Sequence, residues 1–290
     1  MSQILVTGAG GMLAQDLLEV LGSSNASGLR HSELDIRSKE AVLAAVEGFD
    51  IVINAAAYTK VDDAESEETL AFAINAEGPR NLAAAAKIHG ARLIQLSTDY
   101  VFDGVASEPY QEDTPTHPIS AYGRTKAAGE RAVLEECPEG AIIVRTSWLY
   151  GQHGACFPTS ILTAAQHRDT LQVVNDQIGQ PTWTKDVAFM IKLLIDKGTN
   201  SGVYHATNAG QTSWFGFATK LFELAGWESE RVVPVGSEEY IRAAPRPAWS
   251  VLGHQNWATV GLPAPRHWEQ ALEEAWASGL APTNNEAPAT

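Results

Sequence analysis

The chain has 290 residues, 44% of them hydrophobic, and a formal net charge of −15 at pH 7. Its length and apolar content suffice for one large domain, or for one domain with a smaller partner, around a substantial core. The acidity argues against proteins that hold nucleic acid or an anionic membrane by charge alone, because both ligands need a basic surface. A nucleotide held by backbone N–H groups at a helix end remains compatible with it.

The chain contains two cysteines, Cys137 and Cys156, and neither lies at a metal-ligand spacing. Two cysteines cannot form a disulfide framework, so we expect a reduced, cytoplasmic protein. No signal peptide precedes the first predicted strand, and no apolar run reaches membrane-spanning length. We therefore expect neither a membrane nor a nucleic acid as partner, and we predict no metal site.

Hydrophobic periodicity predicts strands that alternate with helices through about residue 150. The predicted strands cover 3–7, 28–31, 50–54, 92–97 and 141–146, and the predicted helices cover 12–21, 38–46, 69–89 (interrupted near Gly78-Pro79) and 120–136. This alternation predicts an α/β fold with a Rossmann-type doubly wound parallel sheet, covered by helices on both faces.

The second half of the chain is less regular. Strands over 171–174 and 203–206 are expected to return to the same sheet, which assigns 1–150 and 169–207 to the dinucleotide-binding domain. Segments 151–168 and 208–280 are predicted to form a smaller C-terminal substrate-binding lobe, with helices over 214–225 and 268–277 and a strand over 232–235. Residues 281–290 have little to bury and are predicted to be a disordered tail.

A glycine-rich loop joins the first strand to the first helix and predicts a nucleotide site. Gly8 permits the tight turn, Gly11 lets the backbone approach a pyrophosphate, and Ala14 is small enough for close packing of helix and strand. The amides at the helix start, including those of Met12 and Leu13, then face the phosphates. The alternative interpretation is a glycine turn without a ligand.

Two further segments complete the predicted cofactor site. Ala55, Ala56 and Ala57 follow the third strand and leave room for a ribose and the nicotinamide. Arg30, at the end of the second strand, favours NADP(H), whereas an acidic residue there would favour NAD(H). Asp35 and Ile36 come slightly later and are included in the predicted site, so NADPH or NADH is expected; Arg30 as a solvated surface charge is the alternative.

Tyr122 and Lys126 lie four residues apart on a predicted helix, which places both groups on one face. A neighbouring ammonium favours the phenolate and is expected to lower the tyrosine pKa. Such a tyrosine can exchange a proton near neutral pH. The alternative for an isolated pair of this kind is an ordinary exposed helix face.

Several ordered motifs resemble the extended short-chain dehydrogenase/reductase superfamily, and more narrowly the dTDP-4-dehydrorhamnose reductase family. They span most of the chain: NAAAYTKVDDAE from Asn54, STDYVFDG from Ser97, YGRTKAAGE from Tyr122, RTSWLYG from Arg145, VVNDQIGQPT from Val173 and RPAWSVL from Arg246. The family loop usually has glycine where this chain has Ala14, and asparagine where it has Cys156. The latter change removes or moves one hydrogen bond.

The resemblance implies reduction of the C4 ketone of dTDP-4-dehydro-L-rhamnose by NADPH or NADH. By this analogy Tyr122 protonates the sugar O4, Lys126 binds the nicotinamide ribose and keeps the tyrosine pKa low, and Thr98 hydrogen-bonds the ketone oxygen. A nucleotide-sugar substrate is implied as the small-molecule partner, and a homodimer is an expectation from the family.

The resemblance also implies substrate contacts. Thr98 and Asp99 are assigned to the substrate side, with a structural turn as the alternative for Asp99. Trp148 is expected against the sugar ring, or else as a core aromatic. Arg246 is expected at a diphosphate oxygen, because a guanidinium fork matches such oxygens, or else as a surface charge. Gln177 and Pro181-Thr182 are expected at the substrate entrance.

Three rival functions remain open from the sequence. An epimerase or dehydratase of the same superfamily is one, although the acidic residue that dehydratases add after the Thr-Asp pair is replaced here by Tyr100. A non-catalytic regulatory subunit of the methionine adenosyltransferase type shares the fold. A reductase of a related dTDP-4-keto-6-deoxysugar is the third, since no motif decides the stereochemistry at C4.

Overall fold

The computed structural model describes residues 2–280, so the predicted tail over 281–290 lies outside the described residues. The strands are β1 Ile4–Thr7, β2 Ala26–Leu29, β3 Ile51–Asn54, β4 Arg92–Thr98, β5 Ala141–Thr146, β6 Leu149–Tyr150, β7 Leu171–Val174, β8 Ile178–Gly179, β9 Thr182–Trp183, β10 Gly202–His205, β11 Thr212–Ser213 and β12 Val232–Val235. The helices are α1 Met12–Leu21, α2 Lys39–Val46, α3 Glu68–Phe72, α4 Gly78–His89, α5 Ala121–Glu136, α6 Phe157–Ala165, α7 Thr184–Lys197, α8 Trp214–Leu224, α9 Gln255–Thr259 and α10 Trp268–Ala275.

Six parallel strands form the central sheet in the order β10-β5-β4-β3-β1-β2. Helices α1 and α7 contribute to the core on one face, and α2, α4 and α5 to the core on the other, so every residue of β1 and β3 is buried. This confirms the predicted doubly wound α/β fold. The strand order reverses between β1 and β3, and the crevice at their carboxyl ends is therefore the expected ligand site of such a sheet.

The prediction that residues 171–174 return to the central sheet is wrong. Strand β7 instead pairs in parallel with β12 in a separate two-stranded sheet, which moves Leu171–Val174 out of the predicted 169–207 segment of the Rossmann domain. The sequence contained a signal: Gln172 interrupts the apolar run and is exposed, as is typical of a sheet with one covered face. Strand β10 does join the central sheet beside β5, as expected for 203–206.

The smaller lobe is built mainly by α6, α8, α10 and the β7–β12 pair. Two clusters fill it, one around Phe217 and Trp268 and the other around Phe222 and Val173. The C-terminal region is not confined to this lobe, because Trp257 of α9 packs into the core of the central sheet. None of the helices within residues 2–280 is long and apolar enough to cross a membrane.

The helical region predicted over 69–89 is continuous, with a π-helical turn over Ala73–Glu77 between α3 and α4. Pro79 sits in the first turn of α4, where it has no N–H to donate to a preceding turn. The irregularity therefore precedes the predicted break at Gly78-Pro79 instead of coinciding with it.

Candidate active site

The glycine loop after β1 has the backbone that a phosphate-binding turn requires. Gly8 has a φ of +71°, and a Cβ on it would lie 2.6 Å from the amide nitrogen of Ala56. Gly11 is the N-cap of α1, without a side-chain cap, and the first turn of α1 contains no acidic residue. The N–H groups of Met12 and Leu13 therefore have no acceptor within the helix, which fits an anionic pyrophosphate.

The alanine turn after β3 is held against this loop by Asn54. The Asn54 carboxamide is fully buried; its oxygen accepts hydrogen bonds from the Thr7 hydroxyl at 2.6 Å and from the Ala56 amide at 3.1 Å. Ala55, Ala56 and Ala57 are all partly exposed and line the switch-point crevice beside Gly8. The predicted nicotinamide side of the cofactor site thus adjoins the predicted pyrophosphate side.

The three residues predicted for the adenosine side differ in what they can offer a ligand. Strand β2 ends at Leu29, two residues before the predicted end, so Arg30 follows it directly and is exposed without an ion-pair partner among residues 2–280. Asp35 already binds Arg37, whose guanidinium lowers the pKa of Asp35 to about 2. The Ile36 side chain belongs to the core and packs against Gly78.

The catalytic residues predicted from the sequence converge at the carboxyl end of β4. Thr98 is the last residue of β4, and its hydroxyl lies beside the Tyr122 phenol. Helix α5 starts close to the turn after β4 because Gly123 has no side chain; a Cβ there would lie 2.2 Å from the Tyr100 carbonyl oxygen. Ser120 caps the helix by accepting from the Gly123 amide at 3.1 Å.

The expected lowering of the Tyr122 pKa is wrong. Burial raises the pKa of the Tyr122 phenol well above its usual range, the Asp99 carboxylate raises it further, and the bond to Thr98 only partly offsets this. The Lys126 ammonium does not act on the phenol; it donates to the Leu96 carbonyl oxygen at 2.7 Å. Tyr122 is therefore a neutral phenol that carries a proton to donate.

Lys126 is buried, and this burial lowers its pKa to about 8, against an opposing effect of the Glu130 carboxylate. Glu130 lies one helical turn after Lys126, accepts from Ser97, and forms a buried ion pair with Arg145 at 2.7 Å. This pair ties α5 to β4 and β5 directly beneath the catalytic residues. Our sequence reasoning missed Glu130, although it stands in the YGRTKAAGE motif at the same spacing from Lys126 as Lys126 from Tyr122.

Asp99 lies behind Thr98. Its carboxylate is buried, accepts from the Thr98 hydroxyl at 2.9 Å, and has a pKa raised by burial to about 6. The side chain therefore orients the threonine hydroxyl from the protein side.

A cavity of about 440 Å³ is lined by residues of the central-sheet domain and of the smaller lobe. Its lining includes Tyr100, Gln177, Trp214, Tyr240, Arg242 and Arg246. The Tyr100 ring packs edge-on against the Tyr122 ring, with 5.7 Å between centroids, so the cavity adjoins Tyr122. Arg246 and Gln177 therefore both line a cavity near Tyr122, and their contacts with a substrate stay predictions. Tyr240, Arg242 and Trp214 were missed, because they sit in segments without regular periodicity or at a helix start.

Trp148 does not contribute to that lining. Its backbone has a φ of +44°, its indole stacks on Trp214 with 3.5 Å between ring centroids, and its ring atoms also lie close to Gly179. One face of Trp148 is thus covered by Trp214, and Trp214 is the indole that borders the cavity. Pro181 and Thr182 are buried around the β6–β9 pair and do not line the entrance predicted for them.

Cys156, singled out in the sequence, and one group of possible metal ligands both contact other protein groups. Cys156 caps α6, and its thiol lies 3.7 Å from the Gly151 carbonyl oxygen. Among residues 2–280, Asp16, Glu19 and His153 form a group with ligand atoms within 4.8 Å of one another. Glu19 already pairs with Lys185 at 2.9 Å, which supplies a positive charge to this cluster.

Comparison with known proteins agrees with this geometry. Residues 1–280 match the family model described as RmlD substrate binding domain. The chain is 47% identical to a dTDP-4-dehydrorhamnose reductase of Streptomyces griseus, over 94% of this chain and 92% of that protein. It is 45% identical to a dTDP-4-keto-6-deoxy-D-glucose reductase of Streptomyces niveus, over 94% and 96% of the two chains.

A solved structure gives the same result. The crystal structure of dTDP-4-dehydrorhamnose reductase from Bacillus anthracis in complex with NADP superposes with a TM-score of 0.92 at 40% identity, covering 96% of this chain and 99% of that one. With a nucleotide loop at the switch point, a Thr98–Tyr122–Lys126 set beside it, and matches along nearly the whole length, the chain belongs to the dTDP-4-dehydrorhamnose reductase family.

Proposed function

We propose that this chain catalyses the NAD(P)H-dependent reduction of the C4 ketone of dTDP-4-dehydro-L-rhamnose to dTDP-L-rhamnose. The observation that carries the proposal is the placement of Thr98 and Tyr122 side by side, between the switch-point crevice and the cavity containing Arg242 and Arg246. A ketone placed there meets a proton donor on one side and a cofactor crevice on the other. The similarity to the NADP-bound Bacillus anthracis reductase and the exposed Arg30 side chain support NADPH as the donor.

Each residue of the site has a separate role in the proposed reaction. The amides of Met12 and Leu13 hold the cofactor pyrophosphate, and the bound cofactor supplies the hydride that reaches C4. Tyr122 gives its proton to O4, and Thr98 holds that oxygen in hydrogen-bonding distance of the phenol. Lys126, buried one helical turn after Tyr122, would bind the nicotinamide ribose through its ammonium, as the resemblance implies.

A related reductase activity is the second candidate. The Streptomyces niveus relative, named a reductase of dTDP-4-keto-6-deoxy-D-glucose, is nearly as similar to this chain as the Streptomyces griseus relative. The residues around Thr98 serve either ketone, so the cavity shape must select between them.

A cytoplasmic location and a homodimer belong to the proposal as well. Light scattering of the purified protein tests the homodimer.

Turnover with a matched variant tests the proposed reaction. The purified protein is incubated with dTDP-4-dehydro-L-rhamnose or dTDP-4-keto-6-deoxy-D-glucose and with NADPH or NADH. We expect cofactor oxidation matched by dTDP-L-rhamnose, and a loss of about 10²–10⁴-fold in Tyr122→Phe because the proton donor is gone. Tyr204→Phe is the control, since that hydroxyl lies 3.5 Å from the Asn200 carbonyl and outside the site.

Product from the D-glucose derivative alone would transfer the assignment to the second candidate. A folded protein that binds the cofactor but turns over neither sugar would contradict both and favour a regulatory role.

A further inference from the structure

The acidic segment over 62–68, after the alanine turn, contacts the loop over 244–247 at one end and α5 at the other. At one end, the two oxygens of Asp62 bind the loop over 244–247: Oδ2 accepts from Arg246 Nη2 at 2.8 Å, and Oδ1 accepts from the Ala244 amide at 3.1 Å. At the other end, Glu68 pairs with Arg124 of α5 at 2.8 Å. The Asp62 carboxylate therefore holds a cavity-lining loop that lies more than 180 residues away in sequence.

The Asp62–Arg246 contact differs from an ordinary surface ion pair. The two side chains are 32% and 21% exposed, and the guanidinium also packs over the Tyr100 ring with its carbon 6.0 Å from the ring centroid. A second guanidinium nitrogen donates to the Ala244 carbonyl oxygen at 3.3 Å. These contacts use two of the five N–H groups of Arg246 among residues 2–280, and the others remain for an anion in the cavity.

We propose that Asp62 is a positioning residue that holds Arg246 in place to bind the diphosphate of a nucleoside-diphosphate sugar. The inference rests on the proposed function, since it assumes that this cavity takes such a substrate. The Asp62 carboxylate reduces the positive charge that Arg246 offers to the diphosphate, but it keeps the guanidinium ordered before the ligand binds. Pre-ordering a long side chain removes an entropic cost that would otherwise weaken the complex.

Equilibrium binding of dTDP to the full chain, measured by calorimetry, tests the proposal without turnover. We expect Asp62→Ala to weaken dTDP binding by roughly tenfold. Asp62→Asn keeps an acceptor for the Ala244 amide and weakens binding less. In turnover, KM for the sugar nucleotide rises while kcat and the affinity for NADPH stay within about twofold of the wild-type values.

Two controls separate positioning from a structural effect. Glu68→Gln removes a charge from the same segment but not from the cavity, and leaves dTDP affinity unchanged. In an Arg246→Ala background, Asp62→Ala adds less than about a twofold loss, because the residue through which it acts is absent.

The outcomes distinguish this inference from the proposed function. Undiminished or tighter dTDP binding by Asp62→Ala would overturn the positioning role alone, since the carboxylate would then only compete with the phosphates. An effect of Asp62→Ala that persists in full without Arg246 would also overturn it. A wild-type protein that does not bind dTDP would overturn the substrate class, and the positioning role with it.

Discussion

Tyr122 and Lys126 share one helix face, yet their surroundings set their charges separately. The phenol is kept neutral by burial and by the Asp99 carboxylate, while the ammonium is turned toward the Leu96 carbonyl. A neutral phenol suits the donation of a proton to a ketone that is being reduced. The buried Glu130 carboxylate stabilises the charged form of Lys126 against the desolvation that lowers its pKa.

The pKa of Lys126, about 8, predicts an alkaline limit of activity. Above that pH the ammonium loses its proton, so kcat/KM should fall by about tenfold per pH unit. The free energy of unfolding should instead rise between pH 8 and 10.5. In this range the lysine of the unfolded chain, with a pKa of 10.5, keeps a proton that the folded protein has lost.

A pH–rate profile with unfolding monitored in parallel checks this prediction. The Lys126→Arg variant retains its charge, so its residual activity should show no such decline below pH 10. A wild-type profile that stays flat to pH 10 would exclude Lys126 as the titrating group.

At the scale of elements, the π turn between α3 and α4 braces the catalytic helix. The Asn75 side chain in this turn accepts from the Tyr58 amide at 2.8 Å and donates to the Thr125 hydroxyl at 3.1 Å, and Thr125 in turn bonds the Tyr122 carbonyl oxygen. The turn approaches α5 closely at Gly129. A glycine in mid-helix costs stability, so its presence here reflects this backbone contact.

Gly129→Ala should therefore destabilise the protein. The new Cβ would lie 2.0 Å from the Asn75 carbonyl oxygen, and the backbone must shift to admit it, at a cost of about 1–3 kcal/mol. Chemical denaturation measures this cost. Gly154→Ala is the matched control, because its Cβ would make an ordinary contact of 3.5 Å with the Met12 Cβ; equal stability of the two variants would refute the close approach.

Across the whole molecule, a buried histidine and a half-buried one join the edge of the central sheet to the C-terminal segment. His205 on β10 donates from Nδ1 to the Gly253 carbonyl oxygen at 2.9 Å, and His254 lies 2.8 Å from the Thr207 hydroxyl. Burial lowers the pKa of His205 to about 3, with Arg145 adding to the effect, and lowers that of His254 to about 4. Both are therefore neutral in the folded protein at pH 7.

These pKa values predict a loss of stability as the pH falls. Below the unfolded pKa of 6.5 the unfolded chain binds protons that the folded one does not, until the folded values near 4 and 3 are reached. Burial also raises the pKa of the Asp99, Asp16 and Glu112 carboxyls, and these groups act in the opposite direction as they take up protons in the folded protein. The lowered pKa values of Asp35, Glu68 and Asp103 act in the same direction as the histidines. The urea midpoint should fall between pH 7 and 5.

Histidine variants identify the source of this dependence. His254→Gln should flatten it, whereas His167→Gln should not, because His167 is exposed. A wild-type urea midpoint that does not change between pH 7 and 5 would show that the histidines titrate normally in the folded state.

The sequence by itself determined the alternation of elements, the glycine loop and the proposed catalytic set. These depend on local rules: apolar periodicity, the backbone freedom of Gly8, and the four-residue spacing of Tyr122 and Lys126 on one helix face. Such patterns are written within a few residues of one another. They sufficed to predict the central sheet and the residues that meet at the end of β4.

Only the tertiary structure decided the pairing of β7 with β12, the stacking of Trp148 on Trp214, the direction of the Tyr122 pKa shift and the bond between Asp62 and Arg246. Each depends on segments far apart in sequence. A short apolar run does not specify its partner strand, and an ionisable group does not reveal its burial or its neighbours. The physical reason is that desolvation and side-chain contacts arise only when the two lobes pack together.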